Sequence, residues 1–162
     1  MKNKKLILIQ GLGVIGSINA FCIAHKNYND QIIGFEANNK IGDEIINKIK
    51  KGKFPFKSKD KKLRLVVNSV KKNKNLIATN NYEIIKQNKS PDIVICCLAL
   101  KYFSTKKKQM VENSKFIKNF SQIIQNINHK TLIIVQTSLP PGFSKKYLIP
   151  IASKTLKKNT KG

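Results

Sequence analysis

Residues 5–36 decide the fold: Lys5–Gln10 reads KLILIQ, Gly11–Gly16 reads GLGVIG, Ser17–His25 follows, and Ile32–Glu36 reads IIGFE. The first and last of these are apolar runs of strand length, and Ile18, Phe21 and Cys22 in between have helical spacing. The three glycines therefore join a strand directly to a helix. Gly11 permits the tight turn, Gly13 lets a ligand come close to the backbone, and Gly16 lets the helix pack against the strand. Leu12, Val14 and Ile15 complete the turn and lead into the helix, whose free N–H groups and positive dipole end favour an anion.

The pattern repeats along the chain. Asp43–Lys51 is predicted to be helical, with Ile45, Ile46 and Ile49 on one face, and Gly52–Lys62 is a basic loop around Pro55. Leu63–Lys74 has Leu63, Val66, Val67 and Val70 at helix spacing, and Leu76–Thr79 reads as a third strand. Asn81 caps a short helix through Gln87, which Ser90-Pro91 ends. Asp92–Leu98 (DIVICCL) is a buried fourth strand, Phe116–Ile127 an amphipathic helix, and Thr131–Gln136 (TLIIVQ) a fifth strand. Pro140-Pro141-Gly142 makes a hard turn before a helix from Phe143 to Ile151. Continuous apolar strands alternating with helices belong to a parallel sheet covered on both faces. The expected fold is α/β, a Rossmann-type doubly wound, mostly parallel sheet. The domain spans residues 1–152, and residues 153–162 form a polar, Lys-rich tail.

Such a fold with such a turn binds a dinucleotide. Glu36 ends the second strand twenty positions after Gly16. Its carboxylate can accept from both ribose hydroxyls and would repel a 2′-phosphate, which favours NAD over NADP. Lys40 lies nearby and moderates that preference. Ligands of open α/β sheets bind at the carboxyl edge of the strands. Leu98 at the end of the fourth strand, and the hydroxyls of Thr137 and Ser138 after the fifth, therefore join the cofactor-binding set, facing the nicotinamide or a bound water. The competing readings are a glycine turn beside a solvated glutamate, and a capped turn at residues 136–142.

Composition narrows the partners. With 162 residues the chain is one domain with a real core. Its formal charge is +24, yet of 32 basic residues only Arg64 is arginine, the residue that does most bidentate reading of bases and phosphates. The lysines are spread along the chain with small clusters at 50–53, 57–62, 71–74 and 106–108, and Lys, Asn and Ile together are what AT-rich codons encode. No specific nucleic-acid partner is expected. No apolar run reaches the roughly 18 residues of a membrane span, and Leu6–Ile9 behind the basic start is too short for a signal peptide. No membrane partner is expected, and the compartment is cytoplasmic. Cys22, Cys96 and Cys97 form no disulfide framework or zinc spacing; Cys96 and Cys97 point to opposite faces of a strand. His25 and His129 are isolated, and the acidic residues show no paired spacing. No metal site is expected.

Four stretches in order resemble the N-terminal domain of the UDP-glucose/GDP-mannose dehydrogenase family: GLGVIG; IIGFEANNK with INKIKKGKFPF; LIATNNYE before DIVIC; and VQTSLPPGFSKKYLIPI. The resemblance covers residues 5–152. It implies NAD as cofactor and, for the whole family enzyme, oxidation of a nucleotide-sugar C6 alcohol to a carboxylate, a step of polysaccharide biosynthesis. In the family the nucleophilic cysteine lies in a later Gly-rich segment. None of the three cysteines here matches it, so no catalytic residue is assigned. Two departures bear on catalysis rather than on cofactor binding. Leu98-Ala99-Leu100-Lys101-Tyr102 lacks the family's Thr-Pro pair. Gln136 stands where the family has Glu, and an amide cannot act as a general base. The implied protein is a truncated or split cofactor domain, inactive alone, with a nucleotide-sugar and a complementary catalytic chain as partners. The alternatives are a non-catalytic scaffold of the same fold, or an NAD-dependent dehydrogenase of prephenate type.

Overall fold

The computed structural model describes residues 4–87, 90–104, 109–128 and 130–158. His129, the 106–108 lysine cluster and the ends of the chain at 1–3 and 159–162 lie outside them. In order come β1 (Leu6–Gln10), α1 (Val14–Lys26), β2 (Gln31–Phe35), α2 (Lys40–Lys50), α3 (Lys61–Asn73), β3 (Leu76–Thr79) and α4 (Glu83–Gln87). They are followed by β4 (Ile93–Cys96), β5 (Lys101–Ser104), β6 (Gln109–Glu112), α5 (Ser114–Ile124), β7 (Leu132–Val135), a π-helical turn (Ser144–Leu148) and α6 (Ile149–Lys158). Five strands form one sheet in the order β3-β2-β1-β4-β7, and every pairing is parallel. The chain thus runs outward from β1 to one edge, then crosses back to build the other half. That reversal opens a crevice at the carboxyl ends of β1 and β4.

The central strands β1, β2 and β4 are apolar on both faces because both faces are covered, whereas the edge strand β7 leaves Leu132 and Ile134 exposed. Leu6 and Leu8 join Val94 and Cys96 under Phe116, Phe120, Ile123 and Ile124 of α5. Ile7 and Ile9 join Ile32 and Ile95 under Phe21 of α1, Ile45 and Ile49 of α2, and Val70 of α3. Cys96 and Cys97 do face opposite sides, Cys96 in the first cluster and Cys97 packed against the second.

Local chemistry moves several boundaries. Asn39 caps α2 by accepting from Gly42 N at 3.0 Å, so the helix begins at Lys40, ahead of the expected Asp43. Asp60 caps α3 through Lys62 N and Leu63 N. At the far end the backbone stays helical through Lys158, beyond residue 152 where the tail was expected, and Ile151 packs on the α5 core. The antiparallel hairpin β5–β6 occupies a stretch to which the sequence assigns no strand or helix.

Phe21 is 1 % exposed beneath α1. Phe21→Ala is expected to lower the unfolding free energy by about 3–5 kcal/mol in a urea titration; a loss well under ~1 kcal/mol would contradict this packing.

Candidate functional site

The glycine turn lies at the carboxyl end of β1, and its three glycines meet three different demands. Gly11 adopts φ +89°, and a Cβ there would come within 2.9 Å of the Cys97 carbonyl oxygen. A Cβ on Gly16 would lie 1.8 Å from the Gly11 carbonyl oxygen, so α1 can rest on the turn only with glycine at this point. Gly13 has nothing within 4 Å of its Cβ position. It faces open space at the N-cap of α1, which has no side-chain cap of its own. Open space in front of uncapped N–H groups suits a phosphate.

Glu36 follows β2 directly, its N–H bonded to Thr79 O at 3.0 Å. One carboxylate oxygen accepts from Leu12 N at 2.6 Å and the other from Ala37 N at 2.8 Å. A carboxylate has about four lone-pair positions, so each oxygen retains capacity for a ribose hydroxyl. Leu12 itself is fully buried, its methyls filling the space over Gly34.

Two adjoining clefts open along this edge. The larger, about 840 Å³, is lined by Gln10, Gly11, Phe35, Glu36, Asn38, Asn80, Tyr82 and Leu98, and by Lys115, Lys118, Asn119 and Gln122 of α5. The Phe35 and Tyr82 rings meet in its wall, tilted at 40° with centroids 4.2 Å apart. The Tyr82 hydroxyl donates to Gln122 Oε1 at 3.2 Å, and burial pushes this phenol up from its ordinary pKa. The smaller cleft, about 250 Å³, shares Gly11, Glu36, Leu98 and Lys115 and adds Gly13, Cys97, Lys101 and Glu112. Gly11, Gly13, Glu36 and Leu98 are therefore brought together. Val14 and Ile15 sit exposed in the first turn of α1, and Gly16 is buried beneath it.

Lys40, Thr137 and Ser138 line neither cleft. Lys40 is exposed at the start of α2. The Thr137 hydroxyl donates to Leu98 O at 2.6 Å, tying the end of β7 to the end of β4, and the Ser138 carbonyl accepts from the Tyr102 hydroxyl at 2.7 Å. Sequence reasoning missed the α5 wall. Its signal is present: Lys115, Lys118, Asn119 and Gln122 form a polar stripe at helical spacing, beside the apolar one that marks the core.

The thiols here are not activated. Burial raises Cys96 to about 12 and pushes Cys97 up as well, although the Asn19 side chain partly opposes the shift at Cys97. Both remain protonated at neutral pH. Among the described residues no cluster of His, Cys, Asp or Glu is placed to hold a metal, and no helix is long and apolar enough to cross a membrane.

The glycines make a paired prediction. Gly16→Ala is expected to destabilise the fold by about 3 kcal/mol or more, because the added carbon meets backbone. Gly13→Ala is expected to leave stability within about 1 kcal/mol and to abolish NADH binding by filling the open cradle. Equal stability losses in denaturant titrations of the two variants would contradict this division of roles.

Comparison with known proteins places this geometry. The NAD-binding domain of the UDP-glucose/GDP-mannose dehydrogenase family matches residues 5–161. No curated protein sequence matches the chain. Among solved structures, an NDP-N-acetyl-D-galactosaminuronic acid dehydrogenase from Methanosarcina mazei Go1 superposes with a TM-score of 0.79 at 19% identity, over 95% of this chain and 32% of its own. A GDP-mannose dehydrogenase from Pseudomonas aeruginosa gives 0.73 at 19% identity, over 93% and 32%. A prephenate dehydrogenase from A. aeolicus gives 0.55 at 16% identity, over 94% and 40%. The chain thus spans about a third of the nucleotide-sugar dehydrogenases it resembles. At these identities the structures carry the fold, a Rossmann-type parallel sheet, while the family match carries membership and cofactor class. The chain belongs to the UDP-glucose/GDP-mannose dehydrogenase family, as its NAD-binding domain.

Proposed function

We propose that the two clefts form one NAD site. The diphosphate lies over Gly13 and the first turn of α1, at Val14 and Ile15. The adenosine ribose hydroxyls donate to Glu36, and the base enters the larger cleft between Tyr82 and the polar face of α5. The nicotinamide extends past Leu98 towards Thr137 and Ser138. Bound NAD supplies a hydride acceptor. The chain's own residues bind and orient it: Thr137 secures the Leu98 backbone, and Glu36 sets the ribose. The observation that carries this reading is the Glu36 carboxylate held by Leu12 N–H beside the open Gly13.

The fit to the cofactor is chemical as well as spatial. A ribose diol brings donors to an acceptor with spare lone pairs, whereas a 2′-phosphate would bring negative charge to a carboxylate already fixed in place. Lys115 and Lys118 line the larger cleft, so the preference for NAD rests on Glu36.

The whole-enzyme role follows from the family. The chain serves as the cofactor-holding part of an enzyme that oxidises the C6 alcohol of a nucleotide-sugar to the uronate, in the cytoplasm. The raised pKa values of Cys96 and Cys97 and the amide at Gln136 support assigning no nucleophile or base to these three positions. None of Cys22, Cys96 and Cys97 stands in the family's nucleophile motif, so these residues bind NAD without completing the oxidation.

Titration of the purified chain with NADH and NADPH at roughly physiological salt tests the site. Saturable binding that favours NADH is expected, and Glu36→Ala is expected to weaken NADH by about tenfold or more while removing the preference. Equal, salt-sensitive binding of both dinucleotides would overturn the site. Reduction of NAD by these residues alone with a UDP-sugar would overturn the reading that they hold the cofactor without a nucleophile of their own.

A further inference from the structure

Strand β5 and the first turn of α5 each bring a cation to the cleft that holds the glycine turn. Lys101 opens β5, Lys115 is the second residue of α5, and both line the smaller cleft with Gly13. Both side chains are solvent-exposed. Successive residues of a strand face opposite sides, so Lys101 and Tyr102 diverge. The Tyr102 hydroxyl reaches away to Ser138 O at 2.7 Å and anchors the hairpin to the loop after β7. Lys101 is left on the cleft side, directly across the hairpin from Glu112, which lines the same cleft.

A dinucleotide diphosphate carries a full negative charge on each phosphate. The glycine turn answers with N–H groups and the helix end, which together amount to roughly half an elementary charge. Full cations on the opposite wall would supply the rest. Glu36 lines the same cleft, with both oxygens engaged by backbone N–H groups. Glu112 opposes the cations most directly, since it faces Lys101 across the hairpin.

We propose that Lys101 and Lys115 clamp the diphosphate of the bound dinucleotide from the side opposite the glycine turn, with the Tyr102–Ser138 bond positioning the hairpin and Glu112 tempering the clamp. The clamp rests on the NAD site proposed above. It makes the stretch that stands in for the family's Thr-Pro pair a phosphate-binding element.

The test is displacement of NADH by ADP-ribose, which carries the diphosphate, and by adenosine, which carries none. Lys101→Gln and Lys115→Gln are each expected to weaken ADP-ribose about threefold, and the double variant about tenfold, with adenosine unchanged. Glu112→Gln is expected to tighten ADP-ribose, a reversal of sign that a merely structural hairpin would not produce. Added salt is expected to weaken ADP-ribose more in the wild type than in the double variant. A double variant that binds ADP-ribose as the wild type does, or that loses adenosine in proportion, overturns the clamp alone. A wild-type chain that binds neither NADH nor ADP-ribose overturns the NAD site, and the clamp with it.

Discussion

The Gly11 carbonyl oxygen lies so close beneath α1 that a carbon on Gly16 would sit 1.8 Å from it. That contact brings the helix down on the strand it follows, and the rest of the site is arranged around it. With α1 seated there, its N-terminus points across the carboxyl edge of the sheet, and its buried face, Ala20, Phe21 and Ala24, meets Ile7, Ile9 and Ile32. Phe21 in turn meets Phe54, with ring centroids 5.9 Å apart, and so draws the loop after α2 into the same core. A larger residue at position 16 would lift the helix from the sheet and move the phosphate cradle with it.

The second constraint is the link from Glu36 to the turn. Gly11 N–H bonds to Phe35 O at 2.8 Å, and Leu12 N–H bonds to the Glu36 carboxylate, so the ends of β1 and β2 are joined by backbone and side chain together. The carboxylate is therefore oriented before any ligand arrives, and little ordering entropy remains to be lost on binding. The same logic operates across the crevice. Cys97 N–H bonds to Gln10 O, Gln136 N–H to Cys96 O, and the Thr137 hydroxyl to Leu98 O, which extends the β1-β4-β7 ladder beyond the strands into the loops that frame the cofactor.

What could be read from the amino acids alone was whatever depends on one residue type or on a simple period. Three glycines and a glutamate at fixed offsets mark the turn, and continuous apolar runs mark β1 to β4 and β7, although the edge strand β7 is covered on one face only and leaves Leu132 and Ile134 exposed. The hairpin β5–β6 escaped because residues 105–108 read TKKK, without the Asn-Gly or Asp-Gly of a tight hairpin, and its four-residue strands carry no clear alternation. The α5 wall escaped because the apolar stripe of Phe116, Phe120 and Ile123 accounts for the helix, and nothing local says that its polar side faces a cleft. Thr137 was expected to face the ligand. Its hydroxyl instead meets a backbone carbonyl thirty-nine residues away, a partner that only tertiary structure supplies.

Gln136 shows how the end of the sheet can be ordered without charge. Its Oε1 accepts from the Asn19 amide and from the Cys97 thiol, the latter at 3.5 Å, while Asn19 Nδ2 also lies 3.4 Å from Cys97 Sγ. Burial keeps that thiol protonated, so it remains a donor and the three groups form a neutral network binding α1, β4 and β7. A carboxylate at position 136 could accept the same two bonds. It would also place a negative charge beside the thiol, raising its pKa further, and would add an ionisable base at the carboxyl end of β7. The amide keeps the acceptor geometry and removes the base. The two functions of that position, holding three elements together and moving a proton, are thus separable. This chain retains the first, which is the one that a cofactor-holding domain requires.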